Sequence, residues 1–244
     1  MLTSKVLTNS AAYLSRRFAS NKVAVVLSGS GVYDGSEIHE ASACLSHLTR
    51  HGIEPVCFAP DREQMHAVDH ASGNPSAEKR NVLSESARIA RGKIQSLSAL
   101  RVQDVDAIVF PGGFGVAKNL STFAVDGPNC QVDPLVEQTI KEFVSAKKPL
   151  AFCCIAPILA ARVISGVKIT LGMDKDDGNW PYAGSVEAVQ SWGAKHENCT
   201  VSDVCVDETN LVVTTPAFMY NTEKFHEIYD GVGLMIAALK KLMK

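Results

Sequence analysis

The sequence FCCIAP at positions 152–157 stands between an apolar run that predicts a strand and a pattern that predicts a helix. A residue held directly between a strand and a helix must turn sharply, and it often adopts a strained backbone that costs about 1–3 kcal/mol. This turn, the nucleophile elbow, needs small neighbours to relieve crowding. Ala156 stands two residues after Cys154, whereas the bulky Ile155 stands two residues after Cys153. The pattern therefore favours Cys154 as the residue at the bend.

Outward from this turn, strand and helix patterns alternate along most of the 244 residues. The longer predicted strands cover 22–27, 53–59, 106–110 and 149–153, and shorter ones lie near 167–171, 204–206 and 211–214. Helices are predicted at 38–51, 133–146, 155–164 and 222–242. Such units predict an α/β fold with a mostly parallel sheet and helices on both faces. Residues 60–100 fit the pattern poorly, and we interpret them as an insertion or lid with a helix around 84–91. No linker or repeat divides the body, so we expect one domain over residues 19–244.

The first twenty residues differ in composition from the rest. They include Lys5, Arg16 and Arg17 but no acidic residue, since the first acid in the chain is Asp34. A basic, hydroxyl-rich and amphipathic segment is typical of a mitochondrial presequence. We therefore predict a presequence over residues 1–18, a mature chain that begins near Ala19, and a location in the mitochondrial matrix.

The bulk composition excludes several classes of protein. The formal charge of −2 argues against nucleic acid as a partner, and no apolar run is long enough to span a membrane. The seven cysteines are scattered, with only Cys153 and Cys154 adjacent, which favours free thiols over a disulfide framework or a zinc site. The histidine pairs 47/51 and 66/70 lack the H-E-x-x-H pattern, so no metal is expected.

Two other segments carry residues that could assist Cys154. The glycine-rich stretch 111–115, PGGFG, follows a predicted strand, and the N–H of Gly113 or Phe114 together with that of Ile155 could form an oxyanion hole. The predicted helix after Cys154 would also aim N–H groups and a positive dipole end at the sulfur. Both effects predict a lowered thiol pKa.

The helix that starts near Ile38 offers two carboxylates, Glu37 and Glu40. Either could hydrogen-bond the cysteine sulfur and act as an acid or a base. A negative charge that suits the helix dipole explains Glu37 well, but it explains Glu40 less well if that position faces the sheet.

Four stretches together resemble the superfamily that contains class I glutamine amidotransferase domains, PfpI-type proteins and the parkinsonism-associated deglycase. They are GSGVYDGSEIHEA (29–41), PGGFGVAKNLSTFA (111–124), FCCIAP (152–157) and VVTTPAFM (212–219). Within the superfamily they are most similar to the ElbB-like group, which includes mitochondrial glutamine amidotransferase-like class I domain proteins. The resemblance implies a flavodoxin-like three-layer sandwich and a homodimer.

The same resemblance assigns roles to individual residues. It puts Cys154 at the nucleophile position and Glu40 at that of the helix carboxylate, because Glu40 stands twelve residues before Gly52 as the superfamily's glutamate does before its own helix-ending glycine. The elbow departs from the Cys-His-Gly of PfpI-type proteins. The late histidines, His196 and His226, lack the His-x-Glu spacing of true amidotransferases. We therefore expect neither glutamine hydrolysis nor peptide cleavage.

Three functional hypotheses follow from these residues. The first is a cofactor-independent enzyme in which the Cys154 thiolate adds to small reactive carbonyls and Glu40 carries protons, as in glyoxalase or deglycase chemistry. The second is a catalytically inactive amidotransferase-like protein with a redox-sensing or regulatory role. The third, dinucleotide binding through Gly29, Gly31 and Gly35, is weakened by Asp34, which stands where the fingerprint has glycine.

Overall fold

The computed structural model describes residues 21–243, so the predicted presequence lies outside the described residues. A seven-stranded sheet forms the centre of the fold, and the described residues also form two two-stranded sheets. The strands are β1 (Lys22–Val26), β2 (Glu54–Ala59), β3 (Ala67–Asp69), β4 (Asn74–Ser76), β5 (Ile94–Ser96), β6 (Ala107–Phe110), β7 (Leu150–Cys153), β8 (Lys168–Ile169), β9 (Lys195–His196), β10 (Cys205–Asp207) and β11 (Val212–Thr215).

The central sheet runs in the order β10-β11-β7-β6-β1-β2-β5, and every pairing in it is parallel except that of β10 with β11. Strands β6, β7 and β11 are buried along their whole length. Continuous apolar runs are what a parallel strand needs when both of its faces are covered. The predicted mostly parallel α/β sheet is therefore confirmed.

Helices flank this sheet. They are α1 (Ile38–Arg50), α2 (Val82–Ile89), α3 (Phe114–Asn119), α4 (Phe123–Asp126), α5 (Pro134–Ser145), α6 (Pro157–Val163), α7 (Ser185–Ser191) and α8 (Phe225–Leu242), with 3₁₀ turns at Leu97–Ala99, Val102–Asp104, Gly127–Asn129 and Ala217–Met219. Helix α1 packs against α8, and α5 packs against α6. None of the helices in the described part of the chain has both the length and the apolar character needed to span a bilayer.

The sequence patterns locate the longer elements well and miss the short ones. Residues 60–100 were expected to form an insertion or lid, but β5 joins the main sheet as the neighbour of β2. Helices α3, α4 and α7 are too short for a clear period of apolar residues. The helix after the cysteine pair begins at Pro157 rather than at Ile155.

The strand order determines where a site can form. Strands β1, β6, β7 and β11 are consecutive neighbours and parallel, so the loops that follow them meet at one edge of the sheet. Ligands of open α/β sheets bind at this carboxyl edge. The stretches 111–115 and 152–157 belong to two of these loops.

The packing of β6 against β7 gives a test of the core. The ring of Phe152 is fully buried and stacks on that of Phe110 with centroids 4.9 Å apart. We expect Phe152→Ala to lower the free energy of unfolding by about 3–5 kcal/mol, because it removes buried surface and leaves a cavity. Urea denaturation measures this loss, with the exposed Leu234→Ala as the control. Equal stability of the two variants would contradict the proposed core.

Candidate active site

Cys154 occupies the predicted bend between strand and helix. Its φ of 59° lies in the left-handed region, which residues other than glycine rarely adopt. The backbone is held there because the Cys154 N–H donates to the carbonyl of Thr215 over 3.1 Å. The residue is only 8% exposed, and it lines a cavity. The backbone geometry of a nucleophile elbow is therefore present.

Two backbone N–H groups point at the Cys154 sulfur. They belong to Gly113, from the glycine-rich turn after β6, and to Ile155, the next residue in the chain. Phe114, the alternative donor considered from the sequence, is excluded from this role because its N–H donates to the carbonyl of Val32 over 2.8 Å. The donor pair is thus Gly113 and Ile155.

The carboxyl group of Glu40 lies beside this sulfur, fully buried. Its Oε2 accepts from the N–H of Gly112 at 2.9 Å, and its Oε1 accepts from the N–H of Phe218 at 3.1 Å. The Cys153 Sγ donates to Oε2 over 3.8 Å, and Cys154 lies near enough for its pKa to be raised by the charge of Glu40. Glu40 therefore lies beside both adjacent thiols, while its two oxygens are fixed by loops from different strands.

Glu37 has a separate role at the start of α1. It is the N-cap residue, and its Oε2 accepts from the N–H of Glu40 at 2.7 Å. Its Oε1 pairs with Nδ1 of His39 at 2.8 Å. The sequence favoured Glu37 as a charge that suits the helix dipole, and its position at the start of α1 agrees with that interpretation. Glu37 also lines the cavity.

Burial dominates the electrostatics of the pair formed by Cys154 and Glu40. It raises the pKa of Glu40 to about 8, and the nearby charge of Glu37 adds to the increase. Burial, followed by the charge of Glu40, raises the pKa of Cys154 well above its ordinary value, although the N–H groups of Gly113 and Ile155 act in the opposite direction. The expectation of a lowered thiol pKa was therefore wrong. The loss of solvent outweighs the two donors, and α6 starts too late to aim its first N–H groups at the sulfur.

These shifts determine the protonation of the pair. At neutral pH most molecules hold both a thiol and a neutral carboxylic acid. The Glu40 carboxyl group loses its proton near pH 8, whereas the Cys154 thiol, whose pKa is raised further, keeps its proton at that pH. The reactive form is thus a minor species at neutral pH.

The cavity above Cys154 has a volume of about 350 Å³. Its walls are mostly apolar, with a few polar groups among them. They comprise Val32, Glu37, Gly113, Phe114, Ala117, Lys118, Phe123, Ala124, Ile155, Tyr182, Ser185, Phe218 and Met219. A small concave space of this kind, with mostly apolar walls and few polar groups around one thiol, is typical of a small-molecule site.

Lys118 is a cavity residue that the sequence analysis missed. Its Nζ donates to the carbonyl of Tyr33 at 2.6 Å and lies 3.0 Å from Nε2 of His66 and 5.3 Å from the centre of the Phe114 ring. Desolvation lowers its pKa, while the carboxylate of Asp34 opposes this change. Lys118 lies inside the stretch 111–124, which is one of the four that resemble the superfamily. That resemblance is the feature of the sequence that could have pointed to it.

The late histidines lie away from this site. Nε2 of His196, on β9, accepts from the N–H of Leu171 at 3.1 Å, and His226 lies in α8. Neither lines the cavity that contains Cys154. No group of three or more metal-binding side chains occurs within residues 21–243.

The glycine N–H groups of the loop after β1 already have hydrogen-bond partners within the protein. The N–H groups of Gly29, Gly31 and Gly35 donate to Ser86 Oγ, the carbonyl of Ser36 and the carbonyl of Gly31, respectively. Asp34 is 1% exposed. A pyrophosphate needs free N–H donors and no carboxylate beside it, so this loop does not support dinucleotide binding.

A substitution at Gly112 tests how closely the glycine turn after β6 must approach Cys154 and Glu40. A Cβ on Gly112 would lie 2.4 Å from the Cys154 Cβ and 2.6 Å from Glu40 Oε2. We expect Gly112→Ala to lower the free energy of unfolding by about 1–3 kcal/mol, because the overlap must displace the site. Gly184→Ala is the matched control, since nothing lies within 4 Å of a Cβ there. Denaturant titrations of both variants decide the point, and an unaffected Gly112→Ala protein would refute the close packing.

Glu40→Gln tests the electrostatic coupling of the pair. The substitution removes the negative charge that opposes ionisation of the sulfur, so the pH profile of Cys154 alkylation should move to lower pH than in the unmodified protein. Alkylation is followed residue by residue with iodoacetamide and mass spectrometry. Glu187→Gln, an exposed charge on α7, should leave the profile in place. A shift of the Glu40→Gln profile to higher pH would contradict the coupling.

Known proteins share both the sequence and the fold. The rat (Rattus norvegicus) ES1 protein homolog, mitochondrial, is 59% identical over 223 residues, which cover 91% of this chain and 84% of the relative. The human (Homo sapiens) glutamine amidotransferase-like class 1 domain-containing protein 3, mitochondrial, is 56% identical over 234 residues, covering 95% and 87%. No protein-family model matches the sequence. Both names support a mitochondrial location.

Solved structures extend the likeness. A protein from Ehrlichia chaffeensis, described as an isoprenoid biosynthesis protein with an amidotransferase-like domain, has a TM-score of 0.83 and 34% identity, covering 92% of this chain and all of its own. Drosophila melanogaster DJ-1beta, at 17% identity and a TM-score of 0.51 over 92% of this chain and 98% of its own, shares the fold. The flavodoxin-like fold inferred from the four stretches is thereby confirmed. On the identity and coverage of its relatives, the chain belongs to the family of mitochondrial ES1 and glutamine amidotransferase-like class 1 domain proteins.

Proposed function

We propose that the protein is a cofactor-independent enzyme of the glyoxalase or deglycase type, which converts small reactive carbonyls in the mitochondrial matrix. One observation carries the proposal: Cys154 lines a small cavity and lies beside the Glu40 carboxyl group and the backbone N–H groups of Gly113 and Ile155. A nucleophile, a proton carrier and an oxyanion hole are the parts that such chemistry needs, and none of them is a histidine.

The first step is addition of the thiol to the aldehyde carbon of a 2-oxoaldehyde. Glu40 as carboxylate takes the proton of Cys154 while the sulfur–carbon bond forms and the carbonyl π bond breaks. The N–H groups of Gly113 and Ile155 stabilise the negative oxygen, which then takes the proton back from Glu40. The product is a neutral hemithioacetal.

The second step moves hydrogen between the two carbons. Glu40 removes the C–H proton of the hemithioacetal carbon and delivers it to the neighbouring carbonyl carbon through an enediol, while the hydroxyl proton of the hemithioacetal moves to the oxygen of that neighbouring carbon. One carbon is thereby oxidised and the other reduced. This leaves a thioester of a 2-hydroxy acid on Cys154. Water then cleaves the sulfur–carbon bond, and the 2-hydroxy acid and the free thiol are released. The sum is addition of one water to the 2-oxoaldehyde, with no external oxidant.

The raised pKa values set the expected rate. Because the reactive anion is scarce at neutral pH, turnover should be slow and should increase as the pH approaches the pKa of about 8 of Glu40. An enzyme of low turnover is what the resemblance to glyoxalase-type relatives implies.

Removal of the nucleophile is the direct test. We expect Cys154→Ala to reduce glyoxal consumption to the rate of buffer alone, because no sulfur remains at the cavity. Cys199→Ala, another buried thiol outside the cavity, is the matched control and should keep full activity. Glu40→Gln should also lose turnover even though its thiol ionises more readily. Undiminished consumption by Cys154→Ala would refute the proposal.

A second candidate function is favoured by the protonation state of the thiol. Burial keeps Cys154 mostly neutral, as expected of a catalytically inactive amidotransferase-like protein with a redox-sensing or regulatory role. Thiol oxidation that changes partner binding, without turnover of any carbonyl, would favour this alternative.

Three further features complete the proposal. They are a presequence over residues 1–18, one domain over residues 19–244 and a homodimer. The composition of the first twenty residues supports the presequence and the matrix location. The superfamily resemblance supports the homodimer.

A further inference from the structure

We infer that the preferred substrate is a 2-oxoaldehyde that carries a neutral aryl or branched alkyl group, and that glyoxal is a poor fit to this site. The inference rests on the proposed function and adds the substrate class. It is carried by the shape and chemistry of the cavity above Cys154.

Aromatic rings form much of the cavity wall. Phe114, Phe123, Phe218 and Tyr182 come from four different segments and all line the same space. Phe114 and Tyr182 meet edge to face with centroids 6.0 Å apart. Rings prefer to meet other rings in such arrangements, so a planar apolar group is a suitable occupant.

The volume of the cavity agrees with such an occupant. About 350 Å³ lies near the lower end of the range of about 300–1,000 Å³ that small-molecule pockets span. Glyoxal has no side group and would leave most of the apolar wall in contact with water. An aryl or branched alkyl group would cover that wall, and burial of apolar surface favours binding.

The charged groups of the wall are already engaged by the protein. Glu37 accepts from the N–H of Glu40 and pairs with His39, while Lys118 donates to Tyr33 and contacts His66. The cavity thus contains one cation and one carboxylate, each with protein partners. This arrangement favours a neutral substituent over a carboxylate or a phosphate.

The ratio of kcat/KM for phenylglyoxal to that for methylglyoxal tests the inference. In Phe123→Ala we expect this ratio to fall about tenfold, because an aryl group covers more of the apolar wall than a methyl group and therefore loses more when part of that wall is removed. Val125→Ala is the matched control, since Val125 lies on the same short helix but is 66% exposed and outside the cavity. An unchanged ratio in Phe123→Ala would overturn the inference while the proposed reaction stands.

A binding measurement keeps the inference testable if no carbonyl is consumed. Benzamide, which is unreactive, should slow the alkylation of Cys154 by iodoacetamide, and acetamide at the same concentration should not. Phe123→Leu, which keeps an apolar side chain against Trp192, should weaken the protection at least twofold and serves if Phe123→Ala does not fold. Protection without turnover would refute the reaction alone. Equal effects of benzamide and acetamide would overturn the inference.

Discussion

The site depends on one buried carboxyl group. Glu40 reaches from α1 to the glycine turn after β6, to the 3₁₀ turn after β11 and to the thiols at the end of β7. Taking a carboxylate out of water is costly unless it is neutralised or hydrogen-bonded. Here the two backbone donors fix the group, and a raised pKa keeps it protonated for much of the time. The carboxyl group therefore joins the ends of three strands to α1.

The glycines at this edge of the sheet explain how the segments come so close. The Glu37 N–H donates to the carbonyl of Gly112 at 2.9 Å, so the start of α1 sits directly against the turn. A Cβ on Gly113 would lie 2.4 Å from the Glu37 nitrogen. A side chain at either glycine would separate the carboxyl group from the sulfur. The PGGFG stretch is thus required for the close approach of the Glu40 carboxyl group to the thiols as well as for its own N–H donors.

The sequence predicts features that depend on adjacent residues in the chain. It does not predict features that depend on distant residues brought together by the fold. The bend at Cys154 and a charge at Glu37 that suits the helix dipole follow from a few adjacent residues. The pKa of Cys154 does not, because it depends on how completely β7, the glycine turn and α1 exclude water. The prediction of Phe114 as an oxyanion-hole donor was wrong because its N–H donates to the carbonyl of Val32, which is distant in the sequence. The three-residue edge strand β5 is only half buried and has too few residues to show a pattern.

The energetics of the site argue for a chemical role. The pKa of Glu40 is raised from 4.5 to about 8, so its contribution to stability is complete below about pH 4.5 and is lost as the pH rises through about 8. Near neutral pH the burial of the ionisable Glu40 carboxyl group therefore lowers the free energy of unfolding. The left-handed backbone of Cys154 costs about 1–3 kcal/mol more. A thiol that only filled the core would need neither feature, since an apolar side chain at position 40 and a relaxed turn would be more stable. Two destabilising features that meet at one sulfur beside a cavity are what a reactive centre requires, and they support the enzymatic hypothesis over an inert scaffold.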